Sequence, residues 1–434
     1  MTSEHESMLS CCLDALEEES IDLCRRLIRI NTVNPYAGEK HCGSEAAGQD
    51  VIEEVLRNLR PAATIERFDA PDDVYEQAGF IGPKGRNFRG RPIVTADWDF
   101  GSVNGKSPSI ILNDHIDTVG VEGMTIDPFS AEIRDGRIWG RGATDTKGGI
   151  VTGLWAIRAL LESGIPLHGR LSFECVIDEE CNGSGAGTLA CRLRGRTADE
   201  AIVMDGESNV IHGCDGVITV ALKVKGVGGH SGQRGFRVNA IEKAFVVKVA
   251  IDAFAAERLR VCPVPVNLGV FRAGTVPAMV PAEAVMELNA VYSAEEGNRA
   301  FSDGFQHTGE PVFKRLVEHV RATERQDEWL REHPSEIEWV KDLPPFRVAS
   351  DHPLVTDLAR AYSETVGRAP GVGIMSGWTD AAHFANQSGM PVVMFGTGVE
   401  CAHAQEEWVE IETLRNNARA IALFLLRRLC KEAP

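Results

Sequence analysis

Four short apolar runs constrain what this chain can fold into, because each one stops on residues that bind protons or cations. Residues 109–112 lead into Asn113, Asp114, His115, Ile116 and Asp117, and residues 171–177 into Asp178, Glu179 and Glu180. Residues 201–204 lead into Asp205, Gly206 and Glu207, and residues 391–395 into a Gly-rich turn and then His403. Segments with helical patterning separate the runs. Short apolar runs between helices predict parallel strands buried on both faces. In an open parallel sheet, ligands bind outside the carboxyl ends of the strands. All four runs put an Asp, Glu or His at that end. The expected fold class is therefore α/β, a mostly parallel sheet with helices on both faces.

The stretch Asp178, Glu179, Glu180 sharpens the question. Three adjacent carboxylates are ordinarily a solvated turn, where water screens their repulsion. A divalent cation would instead turn repulsion into attraction and keep the carboxylates ionised. A cation site needs further ligands from other segments, and the other three run ends can supply them. In His115-Ile116-Asp117 the first and third side chains share a strand face. Asp117 could then orient the ring of a ligating His115.

A chain of 434 residues exceeds one simple core, so two domains are expected. From residue 216 the pattern changes. Strand-like segments at 216–226, 266–274, 282–292 and 335–341 alternate with helical ones at 238–259 and 311–333. That βαββαβ order is the split ferredoxin-like unit, inserted between the third and fourth parallel strands. The expected division is 1–215 and 343–434 for the sheet domain, with 216–342 as the insert. Residues 13–30 read as one amphipathic helix closed by Asn34-Pro35.

The formal net charge of -18 argues against nucleic acid and anionic membranes as partners. No run approaches the length of a membrane span, and MTSEHESML is followed by no secretory apolar region. The eleven cysteines are an odd number without CxxC spacing, which suits a reducing cytoplasm. Cys181 and Cys401 are read as bystanders beside more interesting neighbours. Gly105-Lys106-Ser107 is no phosphate loop, because the upstream glycine spacing is wrong and the segment precedes its strand. Gly183, Gly185 and Gly187 lack the dinucleotide spacing.

Together the motifs LIRINTVNP, DHIDTVG, GRGATDTKGG, VIDEECNGSG, GHSGQRGFRVNA, AGTVPAMVP, SGWTDAAHFA and AHAQEEWVEI occur in that order over nearly the whole chain. In this they resemble the metal-dependent amidohydrolases that include acetylornithine deacetylase, succinyl-diaminopimelate desuccinylase, aminoacylase and glutamate carboxypeptidase. The resemblance implies a site for two divalent ions, with Zn²⁺ placed first and Mn²⁺ or Co²⁺ as alternatives. His115 and Asp205 would complete one ion, Glu180 and His403 the other, and Asp145 would bridge them, with a cis peptide after it. Glu207 is the second choice for the Asp205 position. Glu179 would be the general base and Asp117 the partner of His115. His230, on the insert, would serve the other subunit of a homodimer by donating to the oxyanion.

The implied reaction is hydrolysis of a C–N bond in a small-molecule substrate, an N-acyl amino acid or peptide-like amide. Relatives often have Asn at the place of Ala278 and Arg at the place of Val291, so a standard N-acyl amino acid fits poorly. Arg234, Arg237 and Arg272 are candidate substitutes. Trp378 is a candidate face for an aromatic substrate, or a core residue. Two other readings stand beside this one: hydrolytic deamination of an aromatic amine, and a non-catalytic metal- or peptide-binding relative.

Overall fold

The Arg170–Val176, Ser109–His115, Glu200–Val203 and Val392–Met394 strands lie side by side in that order and run parallel. These are the four apolar runs of the sequence. The computed structural model describes residues 3–40, 42–180, 184–232, 234–260, 266–297, 308–398 and 400–430. An antiparallel strand flanks these four on each side of the nine-stranded sheet. Pro92–Asp99 and then Thr64–Asp69 extend one side. Val210–Cys214 extends the other and carries Phe346–Arg347 and Val372–Met375. Thr64–Asp69 is largely exposed, which an antiparallel edge strand tolerates and a buried parallel one does not.

Successive residues of the Ser109–His115 strand enter different cores. Ile110 and Leu112 join the larger one, while Ile111 joins a second with Ala381, Ala382 and Phe384 of the Ala381–Ser388 helix. Neighbouring strand residues point to opposite faces, so helices cover both. The Gly148–Glu162 helix is buried almost all round, packed against the Ile411–Leu429 helix. Residues 13–30 form parts of two helices, Ser3–Ala15 and Glu17–Ile28, rather than one. Glu17, Glu18 and Glu19 favour a fresh start there, since carboxylates stabilise a helix N-terminus.

A second sheet is antiparallel throughout, in the order Val266–Ala273, Glu283–Tyr292, Gly216–Lys225, Glu336–Leu343. Its alternation is regular: Ile218, Val220, Leu222 and Val224 are buried against Ala284, Met286, Leu288 and Ala290. The Ala240–Arg258 and Glu310–Glu324 helices cover that face. The second helix is shorter than the 311–333 expected from sequence. The chain leaves the large sheet and re-enters it through neighbouring strands, with Leu343 opposite Val217 and Phe346 opposite Cys214. Among the described residues no helix is long and apolar enough to cross a membrane.

Candidate dimetal centre

The parallel strands deliver their polar ends to one crevice. His115 is the last residue of its strand. Asp178, Glu179 and Glu180 follow the neighbouring strand, and Asp205 the next. Asp145 arrives on the loop before the Gly148–Glu162 helix, followed by a cis peptide to Thr146. That helix starts very close to the sheet. A Cβ at Gly149 would meet the Met204 carbonyl oxygen at 2.0 Å and an Asp114 carboxylate oxygen at 2.4 Å, so only glycine fits. The same holds at Gly396, where a Cβ would lie 2.3 Å from the Asp205 carbonyl carbon. The loop leading to His403 thus packs directly on the Asp205 turn.

Asp145 is the centre of the arrangement. Its Oδ1 faces His115 Nε2 at 3.4 Å, and its Oδ2 faces His403 Nε2 at 3.1 Å. Glu180 Oε2 lies 3.1 Å from the same His403 nitrogen. Donor atoms of His115, Asp145 and Asp205 gather within 4.8 Å of one another, and those of Asp145, Glu180 and His403 do likewise. Asp145 belongs to both groups. Glu207 does not join them, and its carboxylate accepts from Asn209 Nδ2 at 2.6 Å. Glu179 Oε2 stands 4.0 Å from His115 Nε2.

The donor set suits divalent metal. Imidazole and carboxylate together match Zn²⁺, Mn²⁺ or Co²⁺. His115 Nε2 is buried without a hydrogen bond of its own, an arrangement that a bound cation would satisfy. The protonation of the cluster points the same way. Burial raises Glu179 well above the usual carboxylate range, Glu180 to about 7 and Asp205 to about 6. Hydrogen bonds to Asp145 and Glu180 raise His403 to about 11. Burial alone would lower His115, but Asp117 and Asp145 outweigh it and raise it well above its ordinary value. Burial works against ionising Asp145 too, yet His115 and His403 hold its pKa low. Without cations the cluster gathers protons instead.

His115 is oriented through its other nitrogen. Nδ1 is 3.0 Å from the Asp117 backbone carbonyl and 3.6 Å from its carboxylate, so the backbone oxygen is the closer partner. The Asp117 carboxylate accepts instead from Asn34 Nδ2 at 2.8 Å and from the Glu180 and Glu179 amides at 3.2 and 3.4 Å. Asp178 takes no part in the donor groups. It is buried at φ 67°, bonded to the Tyr75 hydroxyl at 2.8 Å and Arg91 Nη2 at 3.2 Å. The acidic triplet thus splits into an anchored residue, Asp178, and two that face the crevice.

Two supports escaped sequence reasoning. Glu407 is buried, pairs with Arg141 at 2.5 Å, and accepts from the Thr144 and Asp145 amides at 3.0 and 3.2 Å. Asn34 closes the Asp117 network. Both lie inside quoted motifs, where their neighbours drew the attention. His230 lies apart, exposed on the short Gly229–His230 strand, its Nδ1 accepting from the Gly232 amide at 3.1 Å. Among the described residues no hydrogen bond or ion pair joins it to the cluster. Arg234 is exposed, Arg237 bonds the Phe236 carbonyl at 2.7 Å, and Arg272 pairs with Glu287 at 2.6 Å. Ala278 accepts from the Ser231 amide through its carbonyl, and Val291 lies opposite Val217. Trp378 is half-buried, edge-on to His383 at 5.2 Å. Cys401 is buried, its thiol 3.0 Å from the Trp408 carbonyl. Cys181 lies outside the described residues.

The chain as a whole is similar to known proteins. The profile of Peptidase family M20/M25/M40 matches residues 111–427. The N-formyl-4-amino-5-aminomethyl-2-methylpyrimidine deformylase of Bacillus subtilis (strain 168) is 30% identical over 343 residues, covering 73% of this chain and 79% of that protein. The succinyl-diaminopimelate desuccinylase of Gluconacetobacter diazotrophicus is 27% identical over 403 residues, covering 85% and 97%. The fold matches that of the dipeptidase Dug1p of Saccharomyces cerevisiae, with a TM-score of 0.72 and 98% of each chain covered at 15% identity. With its two adjoining donor groups, the chain belongs to Peptidase family M20/M25/M40 and is a dinuclear metal-dependent hydrolase of C–N amide bonds.

Proposed function

We propose that this enzyme removes a small acyl group from an N-acylated amine whose amine part need not carry a carboxylate. The placement of Asp145 between His115 and His403 carries the reading, since one carboxylate then serves two cation positions. His115 and Asp205 complete one position, Glu180 and His403 the other. Two divalent ions there, Zn²⁺ by first choice, would acidify the attacking water and draw charge from the acyl oxygen.

The chain's own residues do the rest. Glu179, with its pKa raised by burial, takes a proton from the water and returns it to the leaving nitrogen. Asn34 and the amides of Glu179 and Glu180 hold Asp117, which fixes the turn carrying the base. His230 donates to the developing oxyanion of a partner subunit's site. The region around the small sheet offers a surface for such a partner: Phe245 and Val249 on the Ala240–Arg258 helix, Phe271 on the Val266–Ala273 strand and Met279 on the short strand paired with His230 are all exposed. The small sheet and its helices thus act as a ferredoxin-like lid and dimerisation domain, in a cytoplasmic enzyme.

The acyl-amine reading draws on Ala278 and Val291, which bring no charge where a carboxylate-binding residue would stand. The relative named for an N-formyl aminomethylpyrimidine supports it too. The test is a panel of N-formyl, N-acetyl and N-succinyl amines, with and without α-carboxylates, assayed after loading with Zn²⁺, Mn²⁺ or Co²⁺. Formyl or acetyl release from carboxylate-free amines is expected. Turnover confined to α-carboxylate substrates would refute the substrate class, and ammonia release without acid release would refute the reaction.

A further inference from the structure

The residue just ahead of Glu179 is held at several atoms at once. Asp178 is fully buried, and its φ of 67° puts it in the left-handed region, where Asp and Asn are among the few side chains tolerated. Its Oδ2 accepts from the Tyr75 hydroxyl at 2.8 Å. Its Oδ1 accepts from Arg91 Nη2 at 3.2 Å, with Asn34 Nδ2 at 3.5 Å and Arg86 Nη1 at 3.6 Å. Arg91 is itself fixed by the buried Glu45, at 2.5 and 2.7 Å. The Asp178 carbonyl is engaged too, accepting from the Gly185 amide at 3.0 Å.

Tyr75 is set firmly in the core behind this carboxylate. It is 5% exposed, with its ring centroid 5.7 Å from that of Phe80 and 6.2 Å from that of Phe88. A Cβ at Gly82 would meet the ring at 2.4 Å, so the chain there lies directly against it. A buried tyrosine hydroxyl ordinarily finds a partner. What matters is which one: the residue immediately before the base. The Glu179 and Glu180 amides meanwhile donate to the Asp117 carboxylate at 3.4 and 3.2 Å. The turn is thus gripped by a side chain at Asp178 and by the backbone at the next two residues. Tyr75, Arg86 and Arg91 all lie outside the residues matched by the family profile, 111–427.

We infer that Tyr75 is a positioning residue for the general base. Through Asp178 it fixes the direction in which the chain leaves the Arg170–Val176 strand, and hence where the Glu179 carboxylate stands in the crevice. Without the hydroxyl the Asp178 side chain can turn, and the peptide joining it to Glu179 can tilt with it. The assignment rests on the reading of Glu179 as the base.

The experiment uses Tyr75→Phe, which removes one oxygen and keeps the packed ring. Kinetics on the best substrate of the amine panel are measured together with bound metal and thermal melting. The kcat should fall about five- to fiftyfold, short of the roughly 10²-fold cost of a full ångström of misplacement. KM should hardly change, and both ions should stay bound. In Glu179→Gln, whose base is already gone, adding Tyr75→Phe should cost nothing further, as for residues that act as a unit. Asp178→Asn keeps the left-handed turn but loses the charge that the arginines hold. It should behave as Tyr75→Phe does, and it decides the matter alone if Tyr75→Phe does not fold. An unchanged kcat, or a rise in KM alone, would overturn the assignment. So would loss of an ion along with the rate, which would make the network a support of Glu180. An equal fall in the Glu179→Gln background would make it a support of the fold only. Wild-type turnover in Glu179→Gln itself would bring down the base, and this inference with it.

Discussion

The two halves of the donor cluster share Asp145 and differ in how each holds its histidine. The inner half is built on strand ends: His115 is 2% exposed, and Asp205 follows the Glu200–Val203 strand with only Met204 between. The outer half pairs a buried strand-end carboxylate, Glu180, with a histidine on a loop: the His403 side chain is 52% exposed and its φ is 60°. A ligand on a strand end is held by the sheet, while a ligand on an exposed loop is held mainly by what it binds. The inner position should therefore be preformed and the outer one completed by its cation.

The harshest way to break this comparison is to remove what the halves share. Asp145→Ala should strip both ions and abolish turnover, as read by metal analysis of the purified protein alongside activity. A variant that keeps one ion at full occupancy would show that the halves do not depend on a common carboxylate.

Glu179→Gln probes the space between them. It keeps the shape of the side chain and removes its basicity, so kcat should fall about 10²- to 10⁴-fold with both ions retained. Co-expressed with His230→Ala, it should recover activity in mixed dimers, where one site has its own Glu179 and a borrowed His230. Loss of metal from Glu179→Gln would move that residue from base to ligand. Inactive, verified mixed dimers would confine His230 to its own chain or exclude it.

The mildest probe is pH, which should separate the halves without mutation. In the metal-free protein the carboxylates hold a proton on His403 up to about pH 11. That proton must leave before Nε2 can bind a cation, so binding releases protons and apparent affinity rises with pH below that value. His115 carries the same requirement in a more enclosed setting. Chelator titration at falling pH should remove the outer ion first, in two resolved steps. Calorimetry in buffers of different ionisation enthalpy should record the proton release. A single step, or affinity independent of pH, would erase the distinction.

The sequence made the strand-end residues easy to see and the supports hard. His115, Asp205 and Glu180 stand at or just beyond the ends of apolar runs, and periodicity alone points to those ends. Asp145 sits on a Gly-rich loop with no periodic signal, so only the assembled motifs marked it, and His403 lies past a Gly-rich turn, less tightly tied to the end of its run. Asp178 looks in sequence like its two neighbours. Its different fate is decided by Tyr75, Arg86 and Arg91, which lie far along the chain. Glu407 is likewise one of two adjacent glutamates, and only its burial against Arg141 distinguishes it. The strand and helix order of the small sheet was legible because its alternation is regular. The register shift between Trp339 and Lys341, where the Glu336–Leu343 strand pairs with Gly216–Lys225, was not, because a bulge leaves the local hydrophobic pattern looking continuous.

The join between the two sheets is short and doubly fastened. The chain enters and leaves the small sheet on paired strands, with Leu343 opposite Val217 and Phe346 opposite Cys214. The same end of the small sheet is tied sideways to the large domain, the Asp342 amide donating to the Ile81 carbonyl at 3.0 Å and Lys84 pairing with Glu338 at 2.7 Å. An insertion in either crossing would have to strain both sets of bonds at once, so the join leaves the chain little freedom to vary in length there.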